Sequence, residues 1–438
     1  MYKKLISDSA IYGLGAIVVK SIAFFTLPIY TRIFSPEEFG IIEMFVTISG
    51  ILSILMTLGL DSTQSYYFME AKNKSTYDIK KVTTSILQLR ITLGVILIGL
   101  VSLLAPFILD FAFDTKLPVL YLIMIAFATF FANLVSQSLE IFRLIYKPWQ
   151  YIGLSFVQTV LNIGFILYFT YIKDMGLEGY FLGNMIAMFI SLFIGWIATR
   201  DYRYWKNIEV ELWKPFLKFG LPLVPAGLMV WIMNASDRWF VMNMLGAYET
   251  GLYAVAAKFA MLMALVVETF RSAWWPIAMD MLHKEDGAKF FRVVSLWYIV
   301  FTTIGAIIIT IISPYLVEYL TTETYKESWK IVGILCWGSI FYGFYLLSGL
   351  GIFYSKKTHL TIYVYGSGAV LNIVLNYILI PIFGLLGAAL GTVISLLFAN
   401  IISMIVSNKF YKIDWHWFYM GISILIGILF ILKYIGEL

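Results

Sequence analysis

The chain has 438 residues, 61% of them hydrophobic and only 13% charged, with a mean hydropathy of +0.86. That composition leaves too little polar surface to cover a soluble globule of this length, which excludes a soluble enzyme and predicts an integral membrane protein. The formal net charge of +5 carries little information about partners until the charges are assigned to a side of the membrane. The single cysteine, Cys336, excludes an intramolecular disulfide and any multi-cysteine metal site.

The apolar runs lack the short alternating pattern of barrel strands and are long enough to cross a bilayer as helices, which takes about 20 residues. Helices satisfy their own backbone hydrogen bonds in lipid, so the fold class is an all-α integral membrane protein. The first window, Ala10 to Ile33, follows two lysines and resembles a signal peptide. It continues without a small-residue cleavage pattern and reads as the first membrane helix. Five more windows follow in this half: Phe39 to Leu60, Val82 to Leu104, Pro118 to Leu139, Trp149 to Ile172 and Gly176 to Thr199. After the polar connector RDYRYWKNIEVELWK come Pro215 to Asn234, Tyr248 to Phe270, Phe291 to Ile312, Trp329 to Phe353, Leu360 to Ile380 and Phe383 to Val406. A thirteenth window runs from His416 to Ile435. The expected organisation is therefore an N-terminal six-helix lobe at 1–199, a connector at 200–214, a C-terminal six-helix lobe at 215–407 and an additional helix at 408–438.

Lysine and arginine gather on the loops that share a side with the N-terminus, including Lys72, Lys74, Lys80, Lys81, Arg200, Arg203, Lys206, Lys214 and Lys218. By the positive-inside rule this side is cytoplasmic. The opposite loops are short, with no room for an extracytoplasmic catalytic domain. The basic loops are explained by topology and anionic membrane lipid and call for no nucleic acid.

An internal repeat runs through the chain. VLNI occurs at Val160 and again at Val370, GLEGYFLGNMI from Gly176 matches GLLGAALGTVI from Gly384, and PEEFG ending at Gly40 resembles AYETG ending at Gly251. The offsets of 210, 208 and 211 residues span six helices. An even number of spans per repeat means two halves inserted in the same direction, related by a pseudo-two-fold along the membrane normal.

The stretch from Lys218 to Pro276 organises the charge pattern. It reads as two apolar runs joined by a short hinge carrying Asp237, Arg238, Glu249 and Gly251, with Asp237 and Arg238 expected beside the outer interface. The second run nevertheless holds Lys258 and Glu268, and a charge at the bilayer centre costs roughly 2.5 to 3.5 kcal/mol. Glu43, Thr47, Gly50, Ile54, Thr57 and Asp61 follow the spacing of one helical face. The 211-residue offset carries that stripe onto Ala254, Lys258, Met261, Leu265, Glu268 and Ser272. Two partly polar stripes in equivalent positions belong most economically to a shared cleft.

Lys20 and Arg90 are the other embedded cations. With Lys258 and Arg238 they are candidate binders of an anionic substrate, and Glu43, Asp61, Glu268 and Asp237 are candidates for coupling through a proton or Na⁺. The bland alternative is an ion pair with an embedded carboxylate such as Glu43, Glu268 or Glu140. Trp231 lies within a helix and has the right shape to stack on a sugar ring, whereas Trp239, Trp274 and Trp275 are explained as an interfacial aromatic belt. Asn133, Gln158, Asn162, Asn372 and Asn376 suit interhelical hydrogen bonds better than sugar recognition. No metal, nucleophile or nucleotide-binding motif is present, and no cofactor is expected.

FGLPLVPAGL, SDRWFV and GLYAVAAKF, followed by Trp275 and Pro276, resemble the signature of bacterial polysaccharide exporters of the Wzx type. These form the polysaccharide transporter branch of the MOP (multidrug/oligosaccharidyl-lipid/polysaccharide) exporter superfamily. LPIYTRIFSPEEFGIIEMF resembles their first helix pair. The resemblance covers essentially the whole chain and carries over the signature positions Asp237, Arg238, Gly251, Tyr253 and Lys258. It implies twelve to fourteen transmembrane helices, of which twelve form two six-helix lobes, and a cationic central cavity. It also implies a flippase in the bacterial cytoplasmic membrane that moves an undecaprenyl diphosphate-linked oligosaccharide outward by alternating access for surface polysaccharide assembly, beside a polymerase and glycosyltransferases. The competing readings are an antiporter of small cationic compounds from the same superfamily and a membrane glycosyltransferase or polymerase. The mainly basic mid-membrane charges disfavour the first, and the short outer loops disfavour the second.

Overall fold

The computed structural model describes residues 22, 24–74, 78–113, 115–204, 209–355, 357 and 359–437, and among them every regular element is a helix. Twelve helices in this set are long and apolar enough to cross a membrane, the first being Pro36–Asn73 and the last Trp417–Gly436. They correspond one for one to the second through thirteenth predicted windows. The first window lies largely outside the described residues, which begin to show continuous helix at α1 (Leu27–Ile33). The elements that follow are α2 (Pro36–Thr57), α3 (Leu60–Lys74), α4 (Ile79–Ala112), α5 (Val119–Leu144), α6 (Pro148–Leu167) and α7 (Gly176–Ala198). Next come α8 (Trp213–Gly220), α9 (Val224–Leu245), α10 (Ala247–Met281), α11 (Gly287–Leu320), α12 (Trp329–Ser348), α13 (Leu350–Tyr354), α14 (Leu360–Phe383), α15 (Leu385–Ser407) and α16 (Trp417–Glu437).

The described chain forms two compact units, one containing Met44–Leu228 and the other containing Leu27–Glu43 with Met229–Leu438. Their boundaries fall inside α2 and inside α9, so each of these helices belongs to both units.

In the first unit, α2 ends at Thr57 because Leu58 and Gly59 take left-handed conformations, at φ 43° and 74°. Gly59 tolerates this without a Cβ clash, and its absent side chain also lets the backbone of Gly220 approach: a Cβ at Gly59 would lie 2.5 Å from the Gly220 carbonyl oxygen. The predicted stripe from Glu43 to Asp61 is therefore broken by a turn, and Asp61 sits on α3. The amphipathic helix α8 turns Phe216 inward onto Leu60, Val82, Ile86 and Leu89, leaving Lys214 and Lys218 exposed. Part of the connector is tied to the same unit. Tyr204 N donates to Thr84 Oγ1 at 2.8 Å, and buried Arg203 donates through Nη2 to Ser138 Oγ at 3.0 Å. Burial pushes the Arg203 guanidinium down to about 10.

In the second unit, the N-terminal arm Leu27–Glu43 packs onto the start of α10. A Cβ on Gly40 would lie 2.0 Å from the Ala247 carbonyl oxygen, and one on Gly251 would lie 1.9 Å from the Pro36 carbonyl oxygen. These are the repeat-related glycines of PEEFG and AYETG, each admitting the other's helix start. Tyr325 OH donates to Phe34 O at 2.9 Å and Thr322 Oγ1 to Thr31 O at 3.3 Å, which fixes the arm.

The repeat is also visible in geometry. α4 and α11 are both 34 residues long, with Pro106 and Pro314 at the same place in each. Gly176 and Gly384 have φ values of 54° and 57°, the left-handed conformation that starts α7 and α15 after a tight turn. Asn162 Nδ2 donates to Asn184 Oδ1 at 2.8 Å, and its counterpart Asn372 Nδ2 donates to Thr392 Oγ1 at 3.3 Å. Gly183 and Gly391 let these helix pairs touch: an added Cβ would meet Ile166 N at 2.7 Å and Asn376 Oδ1 at 2.9 Å.

Gly183→Val overpacks the backbone contact between α6 and α7 and should lower stability by about 1–3 kcal/mol. Gly153→Ala, where a Cβ meets nothing within 4 Å, should leave it unchanged or slightly raised. Thermal unfolding of both variants in one detergent checks this, and equal effects would remove the packing argument.

Candidate functional site

Building from the helices upward, α9 does not end at Asn234 but continues to Leu245, and the chain turns at Gly246, whose φ is 94°. Asp237 and Arg238 are thus within a helix rather than in a hinge. Asp237 lies eight residues before Leu245, about 12 Å along the axis at 1.5 Å per residue. Both corrections have one physical cause. The two charges satisfy each other and their neighbours, so the helix has no need to end at them.

Four charges gather here. Arg238 Nε lies 3.2 Å from Glu43 Oε1, Arg238 Nη1 lies 3.1 Å from Asp237 Oδ1, and Lys258 Nζ lies 3.4 Å from Glu43 Oε2. Glu43, on the arm, joins the cations of α9 and α10 through its two oxygens. Tyr253 OH donates to Asp237 Oδ2 at 2.5 Å and Thr392 Oγ1 donates to the same oxygen at 3.3 Å. Ser236 Oγ and Asn376 Nδ2 donate to Asn372 Oδ1, at 2.9 and 3.1 Å, extending the network into α14. Two cations face two carboxylates, so the cluster is formally neutral. Its carboxylates are buried, with side chains 7% and 4% exposed, while Lys258 is 35% exposed. The outer surface of the cluster is accordingly basic.

The cluster borders a cavity of about 310 Å³ inside the second unit. Asn234, Asp237, Arg238, Tyr253, Ser339 and Thr392 supply its polar wall. Small and apolar side chains of α10, α12 and α15, among them Ala257, Ala260 and Ala264, form the other. Trp231 is half-buried on α9 and is absent from the cavity lining. Glu268 lies farther along α10 beside Arg271, 3.5 Å away, and does not join the cluster.

The remaining embedded cation that the structure describes is in the first unit. Arg90 is almost fully buried, its Nη2 2.5 Å from Asp61 Oδ1 and its Nη1 donating to Asn133 O at 3.1 Å. Asp61 is half-exposed. Arg90 therefore pairs with Asp61, a partner outside the carboxylates expected for it, because the turn at Gly59 starts a new helix carrying Asp61. Asn133 also donates to Ser53 Oγ and accepts from Thr57, holding α2 to α5. Lys20 lies outside the described residues. Among the described residues no three His, Cys, Asp or Glu side chains gather as a metal site.

Sequence reasoning missed Thr392, Asn234 and Ser339. Thr392 had a signal, since it aligns with Asn184 in the repeat. Asn234 and Ser339 had none beyond being polar residues in apolar runs.

Removing one member of a buried ion cluster leaves an uncompensated charge, which costs about 3–5 kcal/mol. Glu43→Ala should therefore destabilise strongly in denaturant titration of detergent-solubilised protein. Adding Lys258→Ala to that variant should recover part of the loss. No recovery would mean that Lys258 and Glu43 are not energetically coupled.

A family model described as polysaccharide biosynthesis protein matches residues 5–282, more than half of the chain, and a second model, MatE, matches residues 222–378. A protein of the Lsg locus of Haemophilus influenzae is 23% identical over 288 residues, covering 64% of this chain and 68% of the relative. An uncharacterised membrane protein of Methanocaldococcus jannaschii is 24% identical over 417 residues, covering 89% and 95%. Among solved structures, the lipid II flippase MurJ in an inward closed conformation is similar with a TM-score of 0.71 at 15% identity, over 97% of this chain and 98% of that one. An inward-facing multidrug resistance MATE family transporter of the MOP superfamily is similar with a TM-score of 0.66 at 16% identity, over 91% and 97%. At these identities the structural likeness establishes a shared two-lobe helical fold. The chain belongs to the polysaccharide biosynthesis protein family and is a multi-pass integral membrane protein.

Proposed function

We propose that this protein is a transporter of the MOP superfamily, a flippase for a lipid-linked oligosaccharide carried on undecaprenyl diphosphate, in the bacterial cytoplasmic membrane with its N-terminus in the cytoplasm. Membership of the polysaccharide biosynthesis family is the observation that carries the reading. The similarity in fold to the lipid II flippase MurJ is consistent with it.

The physical problem is to bring a sugar and a diphosphate past hydrocarbon while the lipid tail remains in it. Alternating access between two lobes solves this, with the tail trailing in the bilayer. Arg238 and Lys258 are the proposed diphosphate contacts, since cations set in a low-dielectric wall attract anions more strongly than in water. Lys20 and Arg90 are retained as proposed contacts from their depth in the sequence windows, Arg90 as the weaker one because Asp61 already compensates it. Trp231 remains a proposed sugar contact. Release requires that the attraction fall when the lobes reverse. Glu43 and Asp237 hold the cations in the absence of substrate, and a proton or Na⁺ taken up by either carboxylate changes which cation is free. Asp61 and Glu268 are the secondary candidates for that coupling. Polymerase and glycosyltransferases are the proposed functional neighbours, supplying and consuming the carried unit.

A second reading is an antiporter of small organic cations, favoured by the MatE match across residues 222–378 and by Asp237 in the cavity wall.

The test is translocation of a fluorescent undecaprenyl diphosphate-oligosaccharide in sealed proteoliposomes. The parent protein should flip it, and Lys258→Ala should slow flipping about ten-fold or more, as expected for loss of a charge-assisted contact. Unchanged flipping in Lys258→Ala would demote this lysine to a structural ion pair. No flipping by the parent, with gradient-driven efflux of an organic cation instead, would establish the antiporter.

A further inference from the structure

We infer that the cavity of the second unit holds one sugar ring of the carried head group, and that Asn234 and Ser339 read its hydroxyls. The inference rests on the flippase reading and goes beyond it by assigning a sugar subsite that adjoins the diphosphate contacts, with Arg238 at their shared edge.

Most polar groups in the cavity wall are already engaged. Asp237 accepts from Tyr253, Thr392 and Arg238, and Arg238 also donates to Glu43 and to the Asn234 carbonyl. Those groups are held by one another. The exceptions are on α9 and α12. The side-chain amide of Asn234 donates to Val230 O at 2.7 Å, which leaves the carboxamide oxygen as an acceptor. The Ser339 hydroxyl lines the same cavity and makes no hydrogen bond among the described residues. One acceptor and one hydroxyl that both donates and accepts, carried on different helices, suit a polyhydroxylated ring.

The rest of the wall fits the same ligand. A pyranose has polar edges and apolar C–H faces, and here Ala257, Ala260 and Ala264 on α10 provide a flat apolar surface beside the polar side. Small residues at these positions keep the space open, because larger side chains would fill it. The volume of about 310 Å³ is at the lower end of the range for small-molecule pockets, roughly 300–1,000 Å³, and suits a single ring better than a whole repeat unit. An organic cation would instead be expected to meet free carboxylates. Both carboxylates at this site are already compensated by Arg238 and Lys258.

The experiment measures half-saturating concentrations for flipping of undecaprenyl diphosphate bearing an N-acetylhexosamine, a hexose or a hexuronic acid, each against the sugarless carrier. The parent should prefer at least one glycosylated carrier. In Asn234→Ala/Ser339→Ala that preference should fall by about ten-fold, the loss expected for two neutral hydrogen bonds, and Ser339→Thr should retain most of it by keeping the hydroxyl. A parent preference that persists in the double variant would overturn the sugar subsite while leaving the flippase reading intact. Equal loss for glycosylated and sugarless carriers would overturn it too, because the residues would then serve a common step. A parent that flips none of the carriers would sink the flippase reading and the subsite together.

Discussion

Glu43 is the residue on which the second unit depends. A carboxylate this deeply buried is unfavourable in a membrane-spanning helix unless it is paired, and it is paired twice, with Arg238 and with Lys258. Because Glu43 is on the arm and the cations are on α9 and α10, charge compensation also ties three chain segments together. The glycine contact between Gly40 and Gly251 brings the backbones close enough for the three side chains to meet. Remove the close approach and the ion cluster loses its geometry; remove the cluster and the arm loses its strongest polar anchor.

The two units solve the problem of embedded charge differently. In the first, Arg90 is enclosed by protein, paired with Asp61 and bonded to the Asn133 carbonyl of α5. In the second, the carboxylates are enclosed and the cations lie nearer the surface of the cluster, beside a cavity. A structural ion pair needs only the first arrangement. A ligand-binding charge needs the second, since one that is buried on all sides cannot exchange its partner for a ligand. The difference is why Lys258 and Arg238 are proposed ahead of Arg90 as contacts for an anionic substrate.

Repetition accounts for much of the remaining architecture. Gly176 and Gly384 start equivalent helices with the same left-handed turn, and Asn162 and Asn372 donate across equivalent helix pairs. The second copy has diverged where chemistry is concentrated. The position equivalent to Asn184 is Thr392, and that hydroxyl both accepts from Asn372 and donates to Asp237. One repeat-related polar pair has become part of the charge network while its counterpart remains a helix-packing contact.

The sequence by itself determined the all-helical membrane class, twelve of the helix positions described here, the parallel repeat and the identity of most embedded charges. These follow from local properties: apolar runs of bilayer length, a constant offset, and charged residues where lipid makes them expensive. Tertiary structure decided the pairings. That Asp61 belongs to Arg90, that Glu43 is shared by Arg238 and Lys258, and that Asp237 is inside α9 depend on how helices distant in sequence approach one another. The turn at Gly59 illustrates the reason. A one-face stripe from Glu43 to Asp61 is a valid reading of spacing as long as the helix continues, and its interruption is favoured by the packing of Gly220 against Gly59, which lies far along the chain. Asn234 and Ser339 acquire significance for the same reason, because whether a polar side chain is spare depends on what its neighbours in space have already claimed.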